Sequence, residues 1–221
     1  MGVFSLAGKA ATIESRPAEG QAAWRIDIAA GAWTGDCEVE VTSSKRQKGT
    51  SIAFDMPRIN EGTLDHALTE AAQFFPLPVR FRGAEKPRKD FLAGAIHVEN
   101  WEGSRIGIFK GRPYYRSPDV NFHGITVLSK LFEVPQVGGE VVHARIDIGY
   151  TPQLQLVLPA RKEFVENEGL VALKQACEAA CYRAIAGQTT HSLSFERHQR
   201  AAELGIVLPE AEAVLHGWEP D

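Results

Sequence analysis

Four short runs in which apolar and polar residues partly alternate fill the first quarter of the chain, and they constrain the fold more than any other feature. The runs cover residues 10–16, 22–28, 37–43 and 50–56. Glycine, proline and polar residues separate them, as expected for antiparallel strands with one face on a core and one face in water. The sequence therefore predicts a four-stranded antiparallel sheet in this part of the chain.

An amphipathic helix is predicted directly after these strands, within residues 62–78. Thr63 is available as its cap, and Pro76 and Pro78 should stop it, because proline cannot continue a helix. A short strand, VRF, is expected at 79–81. The apolar residues expected to share one face of the helix are Leu64, Leu68, Ala71 and Phe75.

A polar and basic stretch, RGAEKPRKD at residues 82–90, differs in composition from both of its flanks. This change favours a domain boundary, with a long hairpin loop as the alternative. We therefore predict a first domain over residues 1–83, a linker over 84–92 and a second domain over 93–221. The strands expected in the second domain lie at 93–100, 104–110, 120–127 and 141–148.

A long helix is predicted from Glu163 onward, because apolar residues recur there at intervals of three and four. Two short helices separated by Gly205 and Pro209 should follow near the end of the chain. With antiparallel strands in both halves, these elements give an α+β fold. The residues expected on the buried face of the long helix are Leu170, Leu173, Cys177, Ala180, Cys181 and Ala184.

Composition excludes several classes of function for the 221-residue chain. A formal net charge of -4 supplies no general attraction to nucleic acid or to anionic lipid. No segment approaches the roughly 20 apolar residues that cross a bilayer, and no secretory leader is recognisable, so the cytoplasm is the expected location. Cys177 and Cys181 are expected to be buried apolar residues rather than zinc ligands, and none of the seven histidines forms a ligand pattern.

The order of several segments resembles the second half of the ATP-binding domain of the GHKL superfamily, which includes gyrase, the ninety-kilodalton heat-shock protein, histidine kinases and MutL. The segments are GVFSLAGKAATIESR, a strand with tryptophan, KGTSIAFDM, a helix and FPLPVRF. The chaperone branch is the most similar. The resemblance is best over residues 1–83 and 140–186. It implies a partial Bergerat-type ATP-binding domain, mostly antiparallel sheet plus helices, followed by a transducer-like α/β domain.

The resemblance also implies nucleotide-binding residues. Backbone N–H groups at a helix start bind phosphate, and a glycine lets the backbone approach closely. The chain is accordingly expected to begin inside a phosphate-binding turn. Gly49 and Thr50 match a pair that begins a core strand beneath the adenine. The residues that match the end of the phosphate-binding turn are Gly2, Val3, Phe4 and Ser5.

A third matching segment lies just before the long helix, in LVLPARKEFVENEG. Arg161 matches the arginine that reaches the γ-phosphate in the chaperone branch, and Lys162 is the alternative if the register shifts by one. The planar guanidinium suits this role because it bonds two phosphate oxygens at once. The competing interpretation is an exposed helix start whose two cations pair locally.

The family's earlier motifs, which carry the catalytic Glu, the metal-binding Asn and the adenine-recognising Asp, are not found in this sequence. The full-length parent is therefore expected to bind ATP and magnesium, whereas this chain alone is expected to bind neither and to be inactive. We expect a truncated parent, with a degenerate relative as the alternative. A different class also remains open, a nucleotide-independent module that binds a protein partner or forms a homodimer.

Overall fold

The computed structural model confirms the α+β prediction, since its described part combines helices with mostly antiparallel sheets. The chain divides into two compact units, which we call the N-terminal unit, Met1–Leu64, and the C-terminal unit, Asp65–Asp221. The structure describes residues 6–17, 20–34, 39–55, 60–111, 118–136, 139–157 and 163–212.

The N-terminal unit contains a four-stranded antiparallel sheet in the order β3-β2-β1-β4. Each of the four predicted runs overlaps one of its strands, with the fourth strand beginning one residue before its run, so the sheet is confirmed. A 3-10 turn, Ala30–Thr34, follows the second strand. The strands are β1 (Ala11–Arg16), β2 (Trp24–Ile28), β3 (Val41–Ser43) and β4 (Gly49–Phe54).

The two faces of this sheet differ in chemistry, because successive side chains of a strand point to opposite faces. On the polar face, Arg25 donates to Asp27 Oδ2 at 2.8 Å, and Thr12 donates to Asp27 Oδ1 at 2.6 Å. The Arg25 and Thr12 hydrogen bonds lower the pKa of Asp27 to about 2. The apolar face carries a cross-strand row in register, namely Val41, Ile26, Ile13 and Ile52.

Helix α1, Glu61–Ala72, lies where the sequence predicts it, but its cap differs. Asn60 Oδ1 accepts a hydrogen bond from the Gly62 N–H at 2.9 Å, so Asn60 caps the first turn and Thr63 lies inside it. The helix ends before Pro76, as expected. The predicted apolar face is partly wrong, because Ala71 is exposed whereas Ala72 is fully buried.

The segment predicted as a linker lies inside the C-terminal unit. It begins with a hairpin in which β5, Arg80–Phe81, pairs with β6, Ala84–Glu85. Further along, Phe91 and Leu92 are buried and pack with Phe109 in a small apolar cluster. The division between the two compact units therefore falls earlier in the chain than the predicted boundary. The polar composition of residues 82–90 suggested a linker, but Phe91 and Leu92 directly after it are buried in the C-terminal unit.

The main sheet of the C-terminal unit has six strands, with β10-β9-β12-β8-β7 in order and β11 also paired with β12. Among the described strands of this sheet, β9 and β12 pair in parallel and the other pairs are antiparallel. The segment 120–127, predicted as one strand, is a hairpin. The strands are β7 (His97–Trp101), β8 (Ser104–Lys110), β9 (Val120–Phe122), β10 (Ile125–Val127), β11 (Glu133–Pro135) and β12 (Val141–Ile148).

Helix α2, Glu168–Ala186, packs on one face of this sheet and completes the main core. It begins five residues later than predicted, because Asn167 Oδ1 caps it by accepting from the Leu170 N–H at 2.9 Å. Cys177 and Cys181 are fully buried, as predicted, and burial raises the pKa of the Cys181 thiol to about 12. Cys37 lies outside the described residues.

The C-terminal segment contains one of the two short helices expected there, α3, Phe195–Glu203. Directly after Pro209, β14, Glu210–Ala211, pairs in parallel with β13, Thr190–His191. Residues 213–221, where most of the second expected helix falls, lie outside the described residues. Among the described helices, none has both the length and the apolar character that a membrane span requires.

Candidate functional site

Most of the site residues that the sequence predicts fall outside the described part of the chain. These are Gly2, Val3, Phe4, Ser5, Arg161 and Lys162. Helix α2 begins at Glu168, and the local structure of Arg161 and Lys162 lies outside the described residues. Their predicted role at a γ-phosphate stays a prediction.

Gly49 and Thr50, the remaining predicted pair, begin the edge strand β4. Gly49 has a φ of +69°, which favours glycine. The Thr50 hydroxyl lies 2.8 Å from the Ser15 hydroxyl on the neighbouring strand. By register, both hydroxyls belong to the same face as the apolar row of the N-terminal sheet. The structure therefore places a pair of hydroxyl groups at one end of an apolar surface.

That apolar surface is open to solvent at its two edge strands, whereas Ile13 and Ile26 in the middle of the row are partly buried and Ser15 is buried. Ile52 is 50% exposed and Val41 is 62% exposed, although both belong to the cross-strand row. Trp24 pairs directly with Ser15 and adds a large ring to the same face. An open apolar surface that ends in hydroxyl groups is chemically suited to a flat, partly polar molecule or to the apolar side chains of a protein.

A second candidate site is a cleft of about 410 Å³ in the C-terminal unit. One wall is formed by residues 74–76, which follow α1, and another by residues 88–91. Phe74 and Phe91 meet edge to face, with ring centroids 5.1 Å apart. Residues of the main sheet form the rest of the lining. The cleft thus combines aromatic walls with a polar sheet surface.

The polar surface of the cleft is a hydrogen-bonded row across three strands. Asn121 on β9 donates to Asp147 Oδ1 on β12 at 2.7 Å. Arg105 on β8 donates from Nη2 to Asp147 Oδ2 at 2.6 Å and to Asp90 Oδ1 at 2.9 Å. The hydrogen bonds from Asp147 and Asp90 raise the pKa of Arg105, whose charge is matched by these two carboxylates. Arg105 is therefore held in place by its partners.

Asp90 has a further partner in its own segment. The backbone N–H of Leu92 donates to Asp90 Oδ1 at 3.2 Å, and this bond together with that from Arg105 lowers the pKa of the Asp90 carboxyl. Asp90 accordingly stays ionised at neutral pH. Asn121 is buried and has no donor left over, because its Nδ2 also donates to the Phe74 carbonyl at 3.2 Å. The polar side chains of this row thus form hydrogen bonds with one another and with nearby backbone groups.

No motif in the sequence predicted this cleft. Two of its basic residues, Arg88 and Lys89, lie in the stretch RGAEKPRKD, which was predicted to be a linker. The basic character of that stretch was the one feature of the sequence that pointed to an anion-binding surface. Arg105, Asn121 and Asp147 come together only through the pairing of β9 and β8 with β12. Among the described residues, no group of three or more His, Cys, Asp or Glu side chains could hold a metal ion.

Comparisons with known proteins add a distant similarity in structure. No family model and no curated protein matches the sequence. Among solved structures, the chain is similar to the B subunit of DNA gyrase from Myxococcus xanthus, with a TM-score of 0.35 and 11% identity. The match covers 78% of this chain and 66% of the gyrase chain, just under two thirds of its length. Similarity at this level assigns neither a function nor the chaperone branch.

Proposed function

We propose that the N-terminal unit is part of a nucleotide-binding domain, in which the apolar face of its sheet contacts an adenine base. The observation that carries the proposal is the position of Thr50, whose hydroxyl lies beside that of Ser15 at the end of this face. A purine presents flat apolar faces and polar edge atoms, so it needs both kinds of contact. The proposed cellular role is coupling of nucleotide state to domain movement, as the resemblance implies.

Among the described residues, the proposed contacts involve the adenine base and neither the phosphates nor the metal. The turn residues Gly2 to Ser5 lie outside the described part, and the described part offers no set of magnesium ligands. Because the motifs that carry the adenine-recognising Asp, the catalytic Glu and the metal-binding Asn are not found in this sequence, we expect ATP binding to this chain to be weaker than millimolar and ATP hydrolysis to be absent. Without those residues the phosphates gain few contacts, so adenine alone should bind about as well as ATP.

Titration of isotope-labelled protein with adenosine, followed by NMR, tests the proposed contact. We expect shifts at the amides of Ser15, Trp24 and Thr50, and their loss in Thr50→Val. Thr42→Val is the matched control, because Thr42 pairs with Arg25 on the polar face of the same sheet. Shifts that survive Thr50→Val, or micromolar affinity for ATP, would contradict the proposal.

The proposed γ-phosphate contact of Arg161 needs a separate test, in a protein that also carries the nucleotide-recognition motifs. There Arg161→Ala should lower kcat about 10²-fold with little change in nucleotide affinity, because the contact forms mainly in the transition state. Arg161→Lys should recover little, since an ammonium does not reproduce the bidentate fork. Normal turnover in Arg161→Ala would transfer the proposal to Lys162.

A second candidate function is protein binding by the same face, independent of nucleotide. The exposure of Val41, Ile52 and Phe54 on the apolar face favours it. Sedimentation of the chain at increasing concentration distinguishes the two proposals. Self-association that Ile52→Lys abolishes, together with an absence of adenosine shifts, would favour the protein-binding module.

A further inference from the structure

The cleft in the C-terminal unit carries positive charge that its own carboxylates leave unmatched. Asp90 and Asp147 are both engaged by Arg105. Among the described residues, no carboxylate forms an ion pair with the exposed Lys89 ammonium. Arg88 lies 4.0 Å from Glu85, which also lies 3.6 Å from Arg80. Three cations and two carboxylates line the cleft, so its charged side chains sum to +1, and this excess lies on the side of Arg88 and Lys89.

Both cationic residues are fixed to the opposite wall by hydrogen bonds that involve backbone atoms. The Lys89 N–H donates to the Gln73 carbonyl at 2.8 Å, and Arg88 Nη1 donates to the Pro76 carbonyl at 3.0 Å. These bonds join the segment that carries the cations to the turn that carries the aromatic side chains. Such a preformed arrangement reduces the entropy that a ligand must overcome on binding.

Phe75 supplies a ring that is both positioned and accessible. It is 37% exposed, and it lies so close to Gly124 that a Cβ at that glycine would be 2.5 Å from Phe75 Cδ2. The hairpin between β9 and β10 thus supports the ring from one side. The cleft therefore presents an aromatic surface near Arg88 and Lys89, in a lining whose charged side chains sum to +1.

We propose that this cleft binds a planar organic anion, with its phosphate or carboxylate group at Arg88 and Lys89 and its ring against Phe75. Arginine and lysine both bind phosphate and carboxylate through charge-assisted hydrogen bonds. Stacked or edge-to-face contact with Phe75 would favour a flat ring over an aliphatic chain. A volume of about 410 Å³ lies in the usual range for small-molecule sites.

The proposed site is independent of the adenine contact, because all of its residues belong to the C-terminal unit. Arg105, Asp147 and Asn121 act here as positioning residues. They fix the polar surface behind the ligand, and their hydrogen bonds leave the charge of Arg88 and Lys89 to the incoming anion. Failure of one proposal therefore leaves the other intact.

Binding of 1-naphthyl phosphate to the whole chain, measured by calorimetry and NMR, tests the inference. The matched probes are 1-naphthoate, which replaces the phosphate by a carboxylate, 1-naphthol, which lacks the charge, and inorganic phosphate, which lacks the ring. We expect saturable binding of at least one of the two aromatic anions and much weaker binding of naphthol and phosphate. Saturable binding of neither aromatic anion, or equal binding of inorganic phosphate, would overturn the proposal.

Variants then locate the binding site. Lys89→Gln and Arg88→Gln should each weaken binding about tenfold, the effect of losing one charge-assisted hydrogen bond. Lys174→Gln is the control, since it removes an exposed cation from α2, which packs on the other face of the sheet. Equal weakening in all three variants would show unspecific charge attraction and overturn the proposal. Unchanged melting temperatures in these exposed variants would show that the fold is intact.

Discussion

Gly124 provides the sharpest test of the geometry around the cleft. It occupies the second position of a two-residue hairpin turn with a φ of +91°, after His123 with a φ of +51°. A Cβ at Gly124 would meet Phe75 Cδ2 at 2.5 Å and the Phe75 Cα at 2.9 Å. The substitution Gly124→Ala therefore adds two costs, a left-handed backbone for alanine and a steric clash with Phe75.

A matched glycine separates the two costs. Gly83 occupies the same position in the β5–β6 turn, with a φ of +83°, but a Cβ there would have nothing within 4 Å. Gly83→Ala should cost about 1 kcal/mol, because the left-handed penalty of 1–2 kcal/mol is partly offset by lower entropy of the unfolded chain. Gly124→Ala should cost about 2–4 kcal/mol, since overpacking adds roughly 1–3 kcal/mol.

Urea unfolding of both variants measures the difference in the free energy of unfolding. The urea concentrations at the midpoints of the two transitions should differ. The slopes of the free energy of unfolding against urea concentration should agree, because the surface exposed on unfolding is nearly the same. The double variant Gly124→Ala with Phe75→Ala should recover part of the difference, since it removes the ring but not the Cα. Equal costs for Gly83→Ala and Gly124→Ala would refute the contact between Phe75 and the hairpin.

Three further predictions concern the C-terminal unit. Asn167→Ala should lower the free energy of unfolding by about 1 kcal/mol, because Leu170 loses its capping bond, as thermal unfolding would show. Cys177 and Cys181 should resist a thiol reagent in the folded protein and react at once in denaturant, since burial raises both pKa values. Burial lowers the pKa of His143, whose ring nitrogens have no hydrogen-bond partner among the described residues. Because the unfolded chain then binds a proton at this residue more readily than the folded protein does, the free energy of unfolding should fall as pH drops below about 6.5. His143→Leu should flatten that pH dependence in urea titrations without removing it, since burial also lowers the pKa of His191.

Local patterns in the sequence predicted most strands, whereas some turns and helix starts were wrong. The segment 120–127, in which apolar Val120, Phe122, Ile125 and Val127 are separated by other residues, was expected to be one strand. Its turn consists of His123 and Gly124, and histidine is a less familiar first residue for such a turn than asparagine or aspartate. Similarly, the helix start at Glu163 followed the apolar spacing, while the capping bond of Asn167 decided the actual start.

The cleft was beyond prediction for a different reason. Its lining comes from the end of α1, from residues 88–91 and from strands far apart in the sequence. No local pattern indicates that β9 runs parallel to β12, yet this pairing is what places Asn121 beside Asp147. By contrast, Gly49 and Thr50 were found because they are adjacent in the chain and begin one strand.

The central position of β12 determines when the C-terminal unit can assemble during synthesis on the ribosome. Strands β8, β9 and β11 all pair with β12, and each of them is translated before it. Until residues 141–148 have left the exit tunnel, Ile106, Ile108 and Val120 lack the neighbours that bury them in the finished protein. During that interval these apolar side chains are not covered by β12, and the sheet cannot be completed until that strand has emerged.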